Sequence, residues 1–145
     1  MSIEKSPFGQ SITTNDIIDT LSFFDSWEER YKYIIDLGKE LPAMADTKKI
    51  DDNIVRGCQS QVWIDSEKTV EKGADLYWFA VDSDAFIVKG LLGVVLAAYN
   101  GKSQQQILDF DIEAYFDEIG LIKHLSPTRG NGLKAMVERI RTIAQ

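Results

Sequence analysis

The sequence predicts an α+β fold, a small antiparallel sheet packed on one side by helices. Three observations carry this. Two runs rich in aromatic and β-branched residues, Gln61 to Asp65 and Leu76 to Val81, flank the turn-like stretch "EKGAD". The apolar run "AFIVKGLLGVVLAAY", Ala85 to Tyr99, follows them. Polar capping residues followed by helical periodicity stand on both sides of these segments.

Taken in order, residues 1 to 13 read as a loose N-terminal arm, since termini are commonly unpinned. Thr14 or Asn15 caps a first helix through about Phe24, with Ile17, Ile18, Leu21 and Phe24 on one side. Ser26-Trp27-Glu28-Glu29 has capping-box spacing and opens a second helix. Its core side is expected to carry Trp27, Tyr31, Ile34 and Ile35, and Leu41-Pro42 closes it. Residues 42 to 60 form a long polar connection, with a third strand offered by residues 51 to 56.

The two aromatic runs then pair as an antiparallel hairpin with one covered face. Asp82 or Ser83 is expected to cap a central buried helix from Asp84 to about Tyr99. Its Gly90 and Gly93 allow another element to approach closely, and Asn100-Gly101 ends it. Ser103 to Gln106 begins a short helix, and Asp111 to about Ile119 forms another. Ser126-Pro127, a cap followed by proline at the first helical position, opens the last helix.

The 145 residues are expected to form one domain. With 44% hydrophobic residues and only 3 prolines, the chain has the composition of an ordered globular protein. The net charge of −7 argues against a nucleic-acid backbone as main partner, which asks for a basic face. The start "MSIEKSPFGQ" lacks the apolar core of a secretory signal. The apolar run at 85–99 is short for a membrane span and contains Lys89. A cytoplasmic protein is expected.

The sequence groups no set of ligands suited to a metal, and it contains neither a P-loop nor a dinucleotide fingerprint. No metal or cofactor is expected. The lone His124 reads as a surface or capping residue rather than the base of a cysteine dyad.

Cys58 is the single cysteine, which forbids an internal disulfide. A lone cysteine is more often a small buried hydrophobe than a reactive group. Here it lies in a presumed loop; Gly57 beside it frees the backbone, and Arg56 supplies positive charge that favours thiolate. A thiol with no base, metal or second cysteine can still accept a group from a partner and hand it on. Two other readings stay open: a redox sensor that forms a sulfenic acid or mixed disulfide, and a binding module with an incidental cysteine.

Four ordered stretches carry a resemblance. "GCQSQVWI" (Gly57 to Ile64) resembles the reactive-cysteine motif of the SufE family of sulfur-acceptor proteins. "WEERYKYIIDLGKELP", "DSDAFIVKGLLGVV" and "HLSPTRGNGL" match the same family in order, over roughly residues 15 to 143. The resemblance implies the fold shared with IscU-type scaffolds, with the cysteine in a loop at one end. It implies an acceptor that takes persulfide sulfur from a pyridoxal-phosphate-dependent cysteine desulfurase, stimulates that enzyme, and passes sulfur toward an iron–sulfur scaffold. The pyridoxal phosphate belongs to the partner, and a resting thiol tucked into an apolar pocket is implied as well.

By position Cys58 matches the acceptor, and Gly57, Gln59 and Ser60 its loop neighbours. Asp84 and Arg129 match polar positions near the cysteine end, where each also has a plain structural use. "GCQSQVW" resembles SufE proper, while the early "PFG" resembles the CsdE branch, so SufS-like and CsdA-like desulfurases are both candidate partners.

Overall fold

A computed structural model describes residue 3 and residues 6–145. Among the described residues there are six α-helices and one two-stranded antiparallel sheet. They run in the order α1 (Thr14–Ser22), α2 (Trp27–Gly38), β1 (Val62–Glu71), β2 (Ala74–Ser83), α3 (Phe86–Tyr99), α4 (Gln104–Asp109), α5 (Ile112–Glu118) and α6 (Pro127–Ala144). No helix among them is long and apolar enough to cross a membrane.

Local capping chemistry sets several boundaries. Ser26, Ser103, Asp111 and Ser126 each accept a backbone N–H from the first turn of the helix they open. The first helix starts one or two residues earlier than expected. Thr13, not Thr14 or Asn15, is its cap, because Thr13 and Asp16 satisfy each other's backbone N–H in a closed capping box. Glu28 and Lys32, four residues apart on α2, form no ion pair among the described residues.

The hairpin is longer than its apolar pattern suggests. Lys72 and Gly73 both have positive φ (54° and 79°), the signature of a tight two-residue turn that matches strand twist. Pairing then runs from Glu71↔Ala74 to Val62↔Ser83. Its distal half lies away from the core, so it needs no apolar alternation. Residues 51 to 56 supply no third strand. Asp51–Asn53 forms a 3-10 turn, and only Ile54 bridges to Trp63.

Asp82 and Ser83 do not cap the central helix, because both are paired inside β2. The helix starts at Phe86, without a side-chain cap. The Asp82 carboxylate instead meets two ammonium groups, Lys49 at 3.0 Å and Lys89 at 3.5 Å. Lys49 also stands 5.5 Å from the Trp63 ring centre. The long connection before Cys58 is therefore tied to both the sheet and α3.

The core lies between the sheet and α3, which is buried along nearly its whole length. Gly90 permits α2 to close on α3: a Cβ there would stand 2.1 Å from the Ile34 carbonyl oxygen. Of the α2 residues expected in the core, Ile34 is fully buried, while Trp27, Tyr31 and Ile35 are half-buried.

The N-terminal segment expected to be loose is packed where it is described. Phe8 is fully buried, and its backbone carbonyl accepts from the Asn100 side chain at 3.1 Å. Asn100 also receives the Phe79 N–H at 2.9 Å and reaches Ser6 at 3.3 Å, so one buried amide joins arm, sheet and helix end. Ile3 N–H donates to Glu67, directly across the hairpin from Trp78. Residues 1, 2, 4 and 5 of that expected arm lie outside the described residues.

Candidate functional site

Four chain segments meet at one end of the sheet: the start of β1, the end of β2, and the first turns of α3 and α6. The short loop 56–61 lies across them. Its base is held twice. Val55 N–H donates to the Val62 carbonyl at 2.8 Å, and Gln61 N–H donates to Asp84 Oδ1 at 3.1 Å. The Asp84 N–H returns a bond to the Gln61 carbonyl at 3.3 Å. Asp84 therefore ties the loop to the strand–helix corner instead of leading the helix.

Upstream, Arg139 of α6 donates to the carbonyls of Ile54 and Asp52. The backbone before the loop is thus anchored, and Gly57 makes the bend. Its φ of +92° lies in the region that side chains other than glycine's adopt only with strain.

Cys58 is half-buried at the rim of a small cleft. Its S–H donates to the Gly132 carbonyl at 3.5 Å. Gln59 and Ser60 line the cleft from the loop, Val88 from α3, and Thr128, Arg129, Gly132 and Met136 from α6. The free volume is about 20 Å³, room for roughly one water-sized group.

Burial pushes the Cys58 thiol above its ordinary value. The expected help from Arg56 is not realised. Arg56 is exposed and does not line the cleft, so desolvation decides the direction. The nearer cation is Arg129, whose side chain forms no ion pair among the described residues; its backbone N–H binds Ser126. No carboxylate of that first turn pairs with it.

No imidazole enters this cleft. His124 is exposed, stacked on Trp27 at 3.9 Å between ring centres, and its carbonyl accepts the Tyr31 hydroxyl. It borders a neighbouring shallow cleft together with Ile87, Leu125 and Arg129. The described residues lining the Cys58 cleft thus include no general base.

Sequence reasoning placed Cys58, Gly57, Gln59, Ser60, Asp84 and Arg129 at this end, and the fold brings them together. It missed Gly132, Met136 and Val88. The spacing of Thr128, Gly132 and Met136, one helical turn apart, is a signal for one face of α6, though not for what that face covers.

The SufE family model, described as an Fe–S metabolism associated domain, matches residues 15–144. The chain belongs to the SufE family. Among curated SufE relatives, an uncharacterized SufE-like protein of Rhizobium meliloti (strain 1021) is 44% identical over 131 residues, covering 90% of this chain and 94% of that protein. One from Rhizobium etli is 45% identical over 131 residues, covering 90% of this chain and 88% of its own length. A solution structure of a hypothetical protein from Thermus thermophilus shares the fold at a TM-score of 0.68. It covers 97% of this chain and 96% of its own, at 19% identity. SufE membership supports a sulfur-transfer role in iron–sulfur metabolism.

Proposed function

We propose that Cys58 accepts sulfur from the persulfide of a pyridoxal-phosphate-dependent cysteine desulfurase and passes it on for iron–sulfur cluster assembly. One observation carries the reading. In a SufE-family chain, the single thiol sits on a glycine-bent loop at a cleft rim, with no base or second thiol beside it. Such a thiol suits acceptance of a group activated elsewhere.

The Cys58 thiolate attacks the outer sulfur of the desulfurase persulfide. A new S–S bond forms on Cys58, the old one breaks, and the desulfurase cysteine leaves as thiolate. No net oxidation occurs, because the transferred sulfur keeps its state. The pyridoxal phosphate and its chemistry stay with the partner. A thiol that must return reduced after each delivery suits the cytoplasm.

Burial holds back the thiolate at rest, so docking is expected to expose the loop and raise reactivity. Arg129, at the cleft with a guanidinium that forms no ion pair among the described residues, is positioned to favour the anion once the loop moves. Arg56, Gln59 and Ser60 supply loop surface to the partner in this reading, and Gly57 its bend.

The test is an intact mass of the protein after incubation with L-cysteine and a SufS-like or CsdA-like desulfurase, without reductant. A gain of sulfur-sized increments on Cys58, absent in Cys58→Ser, is expected. Equal stimulation of the desulfurase by wild type and Cys58→Ser would overturn sulfur acceptance. Oxygen adducts with peroxide alone, and no sulfur from the desulfurase, would make the protein a sensor instead.

A further inference from the structure

A cavity of about 560 Å³ lies away from Cys58. It is a groove between α5 and α6. Phe116 and Val137 form a buried floor, and Phe110, Ile112 and Ile122 add half-buried apolar surface. At about 3.6 residues per turn, Lys134, Val137, Glu138 and Arg141 stand on the side of α6 opposite Thr128, Gly132 and Met136. The groove and the cysteine cleft thus use opposite sides of one helix.

The rim is acidic. Asp111, Glu113, Asp117 and Glu138 are exposed, and none forms an ion pair among the described residues. Arg141 spends its guanidinium on the carbonyls of Ile107 and Leu108 at 3.4 and 3.3 Å. That leaves Lys134 as the cation of the rim without a partner among the described residues. All the polar side chains lining the groove are charged, so nothing of the converging neutral donor and acceptor set of a metabolite pocket is present. An apolar trough bordered by unpaired carboxylates complements an amphipathic helix whose polar side is basic.

We propose that the α5–α6 groove docks a basic amphipathic helical segment of a protein partner. The stretch of α6 from Lys134 to Arg141 is about 10 Å long, so the segment needs about two turns in contact. Its apolar side lies on Phe116 and Val137, and its lysines or arginines face Glu113, Asp117 and Glu138. Occupancy leaves Cys58 uncovered, so a partner held here keeps its place while the thiol engages another surface. This anchoring does not depend on the thiol's chemistry.

The probe is a fluorescein-labelled synthetic peptide of alternating Lys and Leu faces, with a Glu-for-Lys twin as control, followed by anisotropy against the full chain. The Lys peptide is expected to bind wild type and Cys58→Ser alike, and the Glu twin to fail. The double variant Glu113→Lys with Asp117→Lys is expected to weaken binding by about tenfold, and Glu138→Lys alone by about threefold. A matched reversal elsewhere, Asp19→Lys with Asp25→Lys, is expected to change binding by less than about twofold.

Amide shifts on peptide addition are expected in α5 and α6. Equal losses in both double variants would reduce the effect to net charge and overturn the proposal. So would equal binding of the Glu twin, shifts outside the groove, or no binding at all. Self-association abolished by the Glu138→Lys change would make a second copy the occupant and also overturn it.

Discussion

The Cys58 sulfur lies 3.5 Å from the carbonyl oxygen of Gly132, so the resting thiol donates to α6 backbone. Partial burial favours the protonated form. Iodoacetamide labelling of the folded protein is therefore expected to rise with a midpoint above that of the urea-unfolded chain. The sign for stability follows. A raised folded-state value means that the thiol's contribution is complete below its ordinary value of 9.0 and is lost as pH climbs through the folded value. Compared with Cys58→Ser, wild type should lose stability faster in that alkaline window. Coincident labelling midpoints for folded and unfolded chains would count against a buried resting thiol.

Asp84 holds the loop through the Gln61 N–H. A hydrogen bond of this kind is worth about 1 kcal/mol, and less where water competes. Asp84→Ala is expected to speed Cys58 labelling by at most about fivefold, with far-ultraviolet circular dichroism unchanged. An unchanged rate would show that Asp84 does not restrain the thiol.

At Gly90 the backbones of α2 and α3 come close together. A methyl group there would meet the Ile34 carbonyl at 2.1 Å, and backbone cannot yield as a flexible side chain does. Gly90→Ala is expected to cost about 3 kcal/mol, at the upper end for overpacking. Urea unfolding checks this through a lower midpoint at similar slope. A loss within about 0.5 kcal/mol would contradict the tight α2–α3 contact.

Phe8 is fully buried although it stands in the N-terminal arm. Removing so large a ring leaves a cavity the neighbours fill only in part. Phe8→Ala is expected to cost about 3–5 kcal/mol by urea or thermal unfolding. A near-neutral result would restore the loose arm.

Much of the fold was legible because its cues are local. Ser26, Ser103, Asp111 and Ser126 cap the helices that their spacing predicts, since a cap needs only its own first turn. The hairpin and its turn were legible for the same reason. Asp82 and Ser83 misled: both are good capping types, but strand pairing claims both, and Lys49 and Lys89 hold the Asp82 carboxylate. Phe8 misled as well, because its burial depends on Asn100 and α3 far along the chain.

The sequence by itself determined the α+β class, most helix starts, and Cys58 as the lone thiol beside a glycine. Those follow from periodicity, capping chemistry and residue identity, all of which act within a few residues. Only the tertiary structure decided what surrounds that thiol. It set the Gly132 carbonyl against the sulfur with Met136 lining the same cleft, left Arg56 outside in solvent and Arg129 at the cleft, and turned the thiol's shift upward. The reason is physical: desolvation and hydrogen bonding depend on distance through space, which sequence separation does not report.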